Sequence, residues 1–150
     1  MSALDNPSES ARRGPFWDVF EGRREPPPAA VLLGWELVAI DPDEGTIEVA
    51  FTATEQFTNP VGHIQGGFLA AMLDDTLGPA LVATLGDGEW APTLDLHVQF
   101  LAPARPARLI GRGRITRRGP DIAFLSGDLC SGSTIAATAT AVAAIRRVGS

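Results

Sequence analysis

The spacing of apolar positions changes several times along this chain, and each change predicts an element. Leu33 to Ile40 and Thr46 to Thr52 are apolar runs separated by Asp41-Pro42-Asp43-Glu44-Gly45, a cluster of turn formers that suits a hairpin. In the second run Ile47, Val49 and Phe51 alternate with Thr46, Glu48 and Ala50, the period of a strand with one buried face. From Gly66 to about Leu85 the spacing becomes helical, with Phe68, Leu69, Met72, Leu73, Thr76, Leu77 and Ala80 on one broad arc. A second face carries Gly67, Ala71 and Gly78. Glycine costs a helix about 1 kcal/mol relative to alanine, so two on one face predict the close approach of a backbone or a ligand there. Gly86-Asp87-Gly88 ends the helix.

Four strand-like segments follow. In Thr93 to Leu101, Leu94, Leu96, Val98 and Phe100 form one face, and Asp95, His97 and Gln99 the other. In Arg108 to Arg118, the arginines at 108, 112, 114 and 118 share a face opposite Leu109, Gly111, Gly113 and Ile115. The smooth glycine side is the one expected to meet the helix. Ile122 to Cys130 follows a Gly119-Pro120-Asp121 turn, and Ser131-Gly132-Ser133 leads into Thr134 to Ile145. That last run is rich in alanine, but its threonines and its place after a short turn favour strand. The order predicts an α+β fold, an antiparallel sheet of about six strands with one long helix to cover it.

The segment before this pattern is different. Residues 1 to about 30 read as a flexible arm, polar at first and containing Pro26-Pro27-Pro28. Phe16, Trp17, Val19 and Phe20 predict one short helix in it that docks on the body. Residues 31–148 then form a single domain, as a 150-residue chain allows. No run of 18 or more apolar residues exists and the first residues lack an apolar signal core, so the expectation is a cytoplasmic protein with no membrane contact. The net charge of −6 argues against nucleic acid. There is no lysine, yet six of the twelve arginines fall between Arg105 and Arg118, a basic strip that could hold a small polyanion or line a solvated strand. Cys130 is the single cysteine and reads as a buried, inert thiol.

The chemistry gathers around the helix. Asn59-Pro60-Val61-Gly62-His63-Ile64-Gln65-Gly66-Gly67 leads into it. The first N–H groups of a helix lack internal partners and sit at the positive end of its dipole, which makes Gly66 a candidate oxyanion donor. Asp74 and Asp75 come two turns later in an otherwise apolar helix, where an unpaired carboxylate is costly. Successive residues are separated by a hundred degrees, so Asp74 falls beside Gly67, Ala71 and Gly78 while Asp75 falls beside Phe68. No nucleophile elbow, cysteine–histidine pair or metal-spaced cluster appears, so no metal or cofactor is expected.

These features together resemble the hot-dog-fold thioesterases of the PaaI-like group, related to 4-hydroxybenzoyl-CoA hydrolysis. The similarity runs from about Leu32 to Arg147, and its sharpest parts are the Asn59 to Gly67 loop with the helix acid and the strand Thr93 to Ala104, TLDLHVQFLAPA. The resemblance implies a sheet wrapped around a central helix and hydrolysis of an acyl-CoA thioester. It also implies that Asp74 is nucleophile or general base, that the Gly66 N–H polarises the carbonyl, and that Asn59 places the thioester or the water. Thr93 stands where some members keep a water-orienting hydroxyl. Gln65 replaces the usual histidine, with His63 two residues earlier, and Gln65, His63 and Gly67 are expected to contact substrate. Gln65 donates hydrogen bonds but takes up no proton. Arg117 and Arg118 are the arginines expected to hold CoA phosphates.

Eight residues separate Gly66 from Asp74, about 12 Å along a helix axis at roughly 1.5 Å per residue. One carbonyl must meet both groups, so the expectation is a homodimer, or a homotetramer built as a dimer of dimers, with each site shared between chains. Two rival readings stay open: a non-catalytic acyl-CoA-binding or regulatory module, and a hot-dog dehydratase.

Overall fold

The structure, a computed structural model, describes residues 12–149. Strands β1 (Glu36–Asp41) and β2 (Thr46–Ala53) form the expected hairpin, and helix α3 (Gly66–Val82) follows. Strand β3 (Glu89–Trp90) precedes β4 (Thr93–Phe100), β5 (Ala107–Arg118), β6 (Ile122–Ser131), β7 (Thr134–Ala144) and β8 (Arg146–Arg147). Six strands make one antiparallel sheet in the order β1-β2-β5-β6-β7-β4, and the two-residue β3 and β8 pair separately. The alanine-rich β7 is indeed a strand. It lies between β6 and β4, and Ala137, Ala139, Ala141 and Ala143 are buried on the face towards α3.

Small residues on the sheet let the helix come close. A Cβ built on Gly111 would collide with Thr76 Oγ1, and one on Gly113 would come 3.0 Å from Leu77 Cδ2. Met72, Leu73, Thr76, Leu77 and Leu81 are accordingly fully buried. Filling this interface with side chains near 1 % exposed removes most of its apolar area from water, at roughly 25 cal/mol per Å². The smooth side of β5 is thus the one that meets the helix.

The arginines of β5 divide where the sequence alternation kept them together. Arg112 pairs with Glu48 at 2.9 Å and Arg108 with Glu36 at 3.6 Å on the outer face. An irregularity between Ile115 and Arg117 then shifts the register, so that Arg117 opposes Phe124 and Arg118 opposes the buried Ala123. Arg118 no longer shares a face with Arg112. Its Nε instead donates to Thr84 Oγ1 at 3.1 Å, just past the end of α3.

Upstream, helix α1 (Pro15–Phe20) docks through Trp17, whose Nε1 donates to the Ala83 carbonyl at 2.9 Å. Helix α2 (Pro28–Leu33) occupies part of what the apolar pattern assigns to the first strand, which starts at Glu36 instead. Pro28 stands in the first turn, where its missing N–H costs nothing, and Gly34 closes the helix at φ 67°. Helix α3 ends at Val82, short of Leu85, and contains Pro79. Proline at 79 leaves the Asp75 carbonyl without its i+4 donor. Trp35 Nε1 supplies one, at 2.8 Å.

Candidate active site

The loop before α3 is held by its own backbone. Asn59 N donates to the His63 carbonyl at 2.7 Å, and Asn59 Oδ1 accepts from Val61 N at 3.0 Å and His63 N at 3.1 Å. Ile64 N reaches the Ala104 carbonyl at 2.7 Å and Gln65 N the Phe57 carbonyl at 2.8 Å. Asn59 therefore spends its acceptor on the turn, while its amide N–H groups have no partner among the described residues. No side chain caps α3. Phe68 N and Leu69 N fold back on the Gln65 carbonyl, which leaves the Gly66 and Gly67 N–H groups without an acceptor among the described residues, at the positive end of a 17-residue helix.

Gly66 is not glycine for its backbone angles, since it is absent from the positive-φ positions. Its reason is Phe100: a Cβ at 66 would lie 3.1 Å from Cζ and 3.2 Å from Cε1 of that ring. Gly67 and Gly78 behave otherwise. Among the described residues, nothing beyond the helix's own neighbouring backbone lies within 4 Å of a Cβ built on either, so these residues do not supply the close neighbour expected at this face.

Asp74 sits on that same open face. Thr93 Oγ1 donates to its Oδ1 at 2.9 Å. Simple alternation puts Thr93 with Asp95, His97 and Gln99, turned away from the helix. The structure corrects this, because the register of β4 on β7 slips between Thr93 and Asp95. Asp95 opposes Val142, whereas Thr93 opposes the buried, helix-facing Ala143. The extra residue, Leu94, rotates the strand end and aims the hydroxyl at Asp74.

Asp75 has another environment. Its Oδ2 is buried with no hydrogen-bond partner. Burial first, and the neighbouring Asp74 charge second, push its carboxyl up to about 6.

The remaining candidates lie apart. His63 is half-buried in the loop and Gln65 exposed at the helix start. Arg118 is at the opposite end of α3 from Gly66, about 24 Å away along a 17-residue helix. A recess of about 760 Å³ is lined by Glu48, Arg112, Arg114, His97 and Asp128 among others, on the side of the sheet facing away from α3. Its charges are mixed, and neither Asp74 nor Gly66 lines it. Phe100 is the residue that the sequence reading missed. Alternation puts it on the helix side of β4, but only tertiary packing sets its ring on Gly66.

A twisted antiparallel sheet wrapped on one central helix is the hot-dog fold, and solved proteins of the same shape include thioesterases. A phenylacetic acid degradation-related protein of Ralstonia eutropha JMP134 superposes with a TM-score of 0.85 at 40 % identity, over 86 % of this chain and 98 % of that one. The PaaI protein of E. coli shares the fold at a TM-score of 0.75 and 20 % identity, over 89 % of this chain and 94 % of its own. The family model for the thioesterase superfamily matches residues 61–147. The chain belongs to the thioesterase superfamily. Mouse acyl-coenzyme A thioesterase 13 is 29 % identical over 105 residues, 69 % of this chain and 73 % of that protein.

Proposed function

We propose that the chain hydrolyses acyl-CoA thioesters to a free acid and CoA in a site shared by two subunits. The observation that carries this reading is the Thr93 hydroxyl on Asp74 at 2.9 Å, on a helix face left open beside an uncapped helix start. Asp74 takes a proton from water as the water oxygen bonds to the acyl carbon, or attacks that carbon itself to give an anhydride that water then opens. The carbonyl oxygen gains negative charge facing the Gly66 N–H, with Gly67 next to it. The Asn59 amide orients the thioester or the water. Collapse breaks the C–S bond, and the leaving thiolate takes up the proton that Asp74 removed from water or, on the anhydride route, one from the water that opens the anhydride. Thr93 fixes the carboxylate; Gln65 and His63 line the loop side; Arg117 and Arg118 hold CoA phosphates. A cytoplasmic setting belongs to the same reading.

The shared site rests on the sheet edge. Strand β4 is terminal in the sheet, so one side of its backbone is unpaired among the described residues. Its eight residues span roughly 24 Å from Thr93, at Asp74, to Phe100, at Gly66. Two such edges pairing antiparallel about a two-fold axis bring the Thr93 end of one strand to the Phe100 end of the other. Asp74 of one subunit then meets Gly66 and Asn59 of its partner, and a tetramer would pair two such dimers.

Two experiments test this. Steady-state hydrolysis of an acyl-CoA panel should fall about a thousandfold in Asp74→Ala with the melting temperature retained. If wild type cleaves no thioester yet binds CoA, the chain is instead a binding module, and the lost acid–base capacity at Gln65 is its first explanation. Co-refolded Gly66→Pro and Asp74→Asn chains should recover up to roughly a quarter of wild-type activity, since half the dimers are hybrids with one intact site. No recovery would sink the shared site.

A further inference from the structure

Strand β4 turns a strip towards α3 that runs from Thr93 through Leu96 and Val98 to Phe100, opposite the buried alanines of β7. One end of the strip holds Asp74 and the other touches Gly66. Leu96 and Val98 are partly buried against the core, but Phe100 is 56 % exposed. The tip of its ring fills the space a Cβ on Gly66 would need, at 3.1 Å for Cζ and 3.2 Å for Cε1, and more than half of its surface is left uncovered by the described residues. An aromatic ring left that open beside unclaimed N–H donors offers apolar area where a reacting carbonyl would be held.

We propose that Phe100 determines acyl specificity, its ring forming the apolar wall on which the acyl chain lies while its carbonyl faces the Gly66 N–H. This rests on the hydrolytic reading above and adds the substrate class: acyl groups with several apolar carbons or an aryl ring beyond the carbonyl. A two-carbon acyl group ends before it can cover the ring, whereas an octanoyl or phenylacetyl group buries a large part of it. Contact of that kind is apolar, so its contribution scales with the area removed from water. Sterics add a second term, because the ring already fills the space beside Gly66 and gives the first acyl carbons one side to follow.

The test is kcat/KM for acetyl-, hexanoyl-, octanoyl- and phenylacetyl-CoA with wild type, Phe100→Leu and Phe100→Ala, subunit association being followed by sedimentation. The ratio of octanoyl to acetyl kcat/KM, and that of phenylacetyl to acetyl, should fall about tenfold in Phe100→Ala. Phe100→Leu, which keeps bulk without the ring, should fall between and covers the case in which the alanine variant does not fold. A loss of equal size on all four substrates, with or without dissociation, means that the ring serves folding or assembly and overturns the proposal. A ratio that rises for the large acyl groups overturns it too, since the ring would then be an obstruction. If wild type cleaves none of the four, the hydrolytic reading itself falls and takes the Phe100 role with it.

Discussion

The two sides of α3 contain small residues for opposite reasons. Where the helix meets the sheet, the small residues belong to the sheet: Gly111 and Gly113 lie under Thr76 and Leu77, and a methyl group there has nowhere to go. On the far side the small residues belong to the helix itself, Gly67, Ala71 and Gly78, and among the described residues no other element lies within 4 Å of a Cβ at either glycine. The first face is finished within one chain. The second carries Asp74 beside the helix start at Gly66, and on the proposed reading its smoothness serves a partner subunit or a substrate. The difference teaches that a glycine stripe predicts closeness without saying which surface supplies the neighbour.

The largest expected effect on stability comes from the finished face. Gly111→Ala drives a methyl into Thr76 Oγ1 and should destabilise the fold by about 1–3 kcal/mol in urea unfolding. Gly78→Ala, by contrast, should leave the fold intact or stabilise it by up to about 1 kcal/mol through helix propensity, and any loss should appear in activity or association. Equal destabilisation by both would erase the distinction between the faces.

The next effect concerns how the open face holds its acid. Thr93→Ala removes the hydrogen bond to Asp74 and should lower kcat about tenfold with little change in melting temperature. Thr93→Ser should restore most of the loss. An inactive serine variant would show that the methyl rather than the hydroxyl matters.

The pH effect lies at the boundary between the faces. Asp75 keeps its proton in the fold up to about 6 but in the unfolded chain loses it near the ordinary carboxyl value of 3.8. The folded state thus binds more protons between those values. Stability falls as pH rises through that window, and the cost is fully developed above about 6. Asp75→Asn should remove it, raising stability at pH 8 by up to about 3 kcal/mol and changing little at pH 3.5. A stabilisation that is the same at both pH values would rule this out.

Periodicity was enough for six strands and one helix because burial of one face is a local demand, repeated every two residues in a strand and at 3.6 in a helix. It was also enough to place Asp74 on the small-residue face and the glycines of β5 against the helix. It did not find α2, where Pro28 opens a helix at the one place a proline fits and Gly34 closes it.

The sequence alone, then, determined the six long strands, the long helix, most of their buried faces and the candidate acid, since each depends on residues close together in the chain. Only tertiary structure decided what reaches that acid and its helix. The slipped register at Leu94 turns Thr93 inward to Asp74, another at Arg117 carries Arg118 over to Thr84, and Phe100 comes to rest on Gly66. Trp35 takes the carbonyl that Pro79 frees. Each of these joins residues that lie far apart in the chain, and a one-residue change of register reverses which face a side chain occupies. Alternation counted along a single strand cannot see such a slip, because the pairing partner sets it.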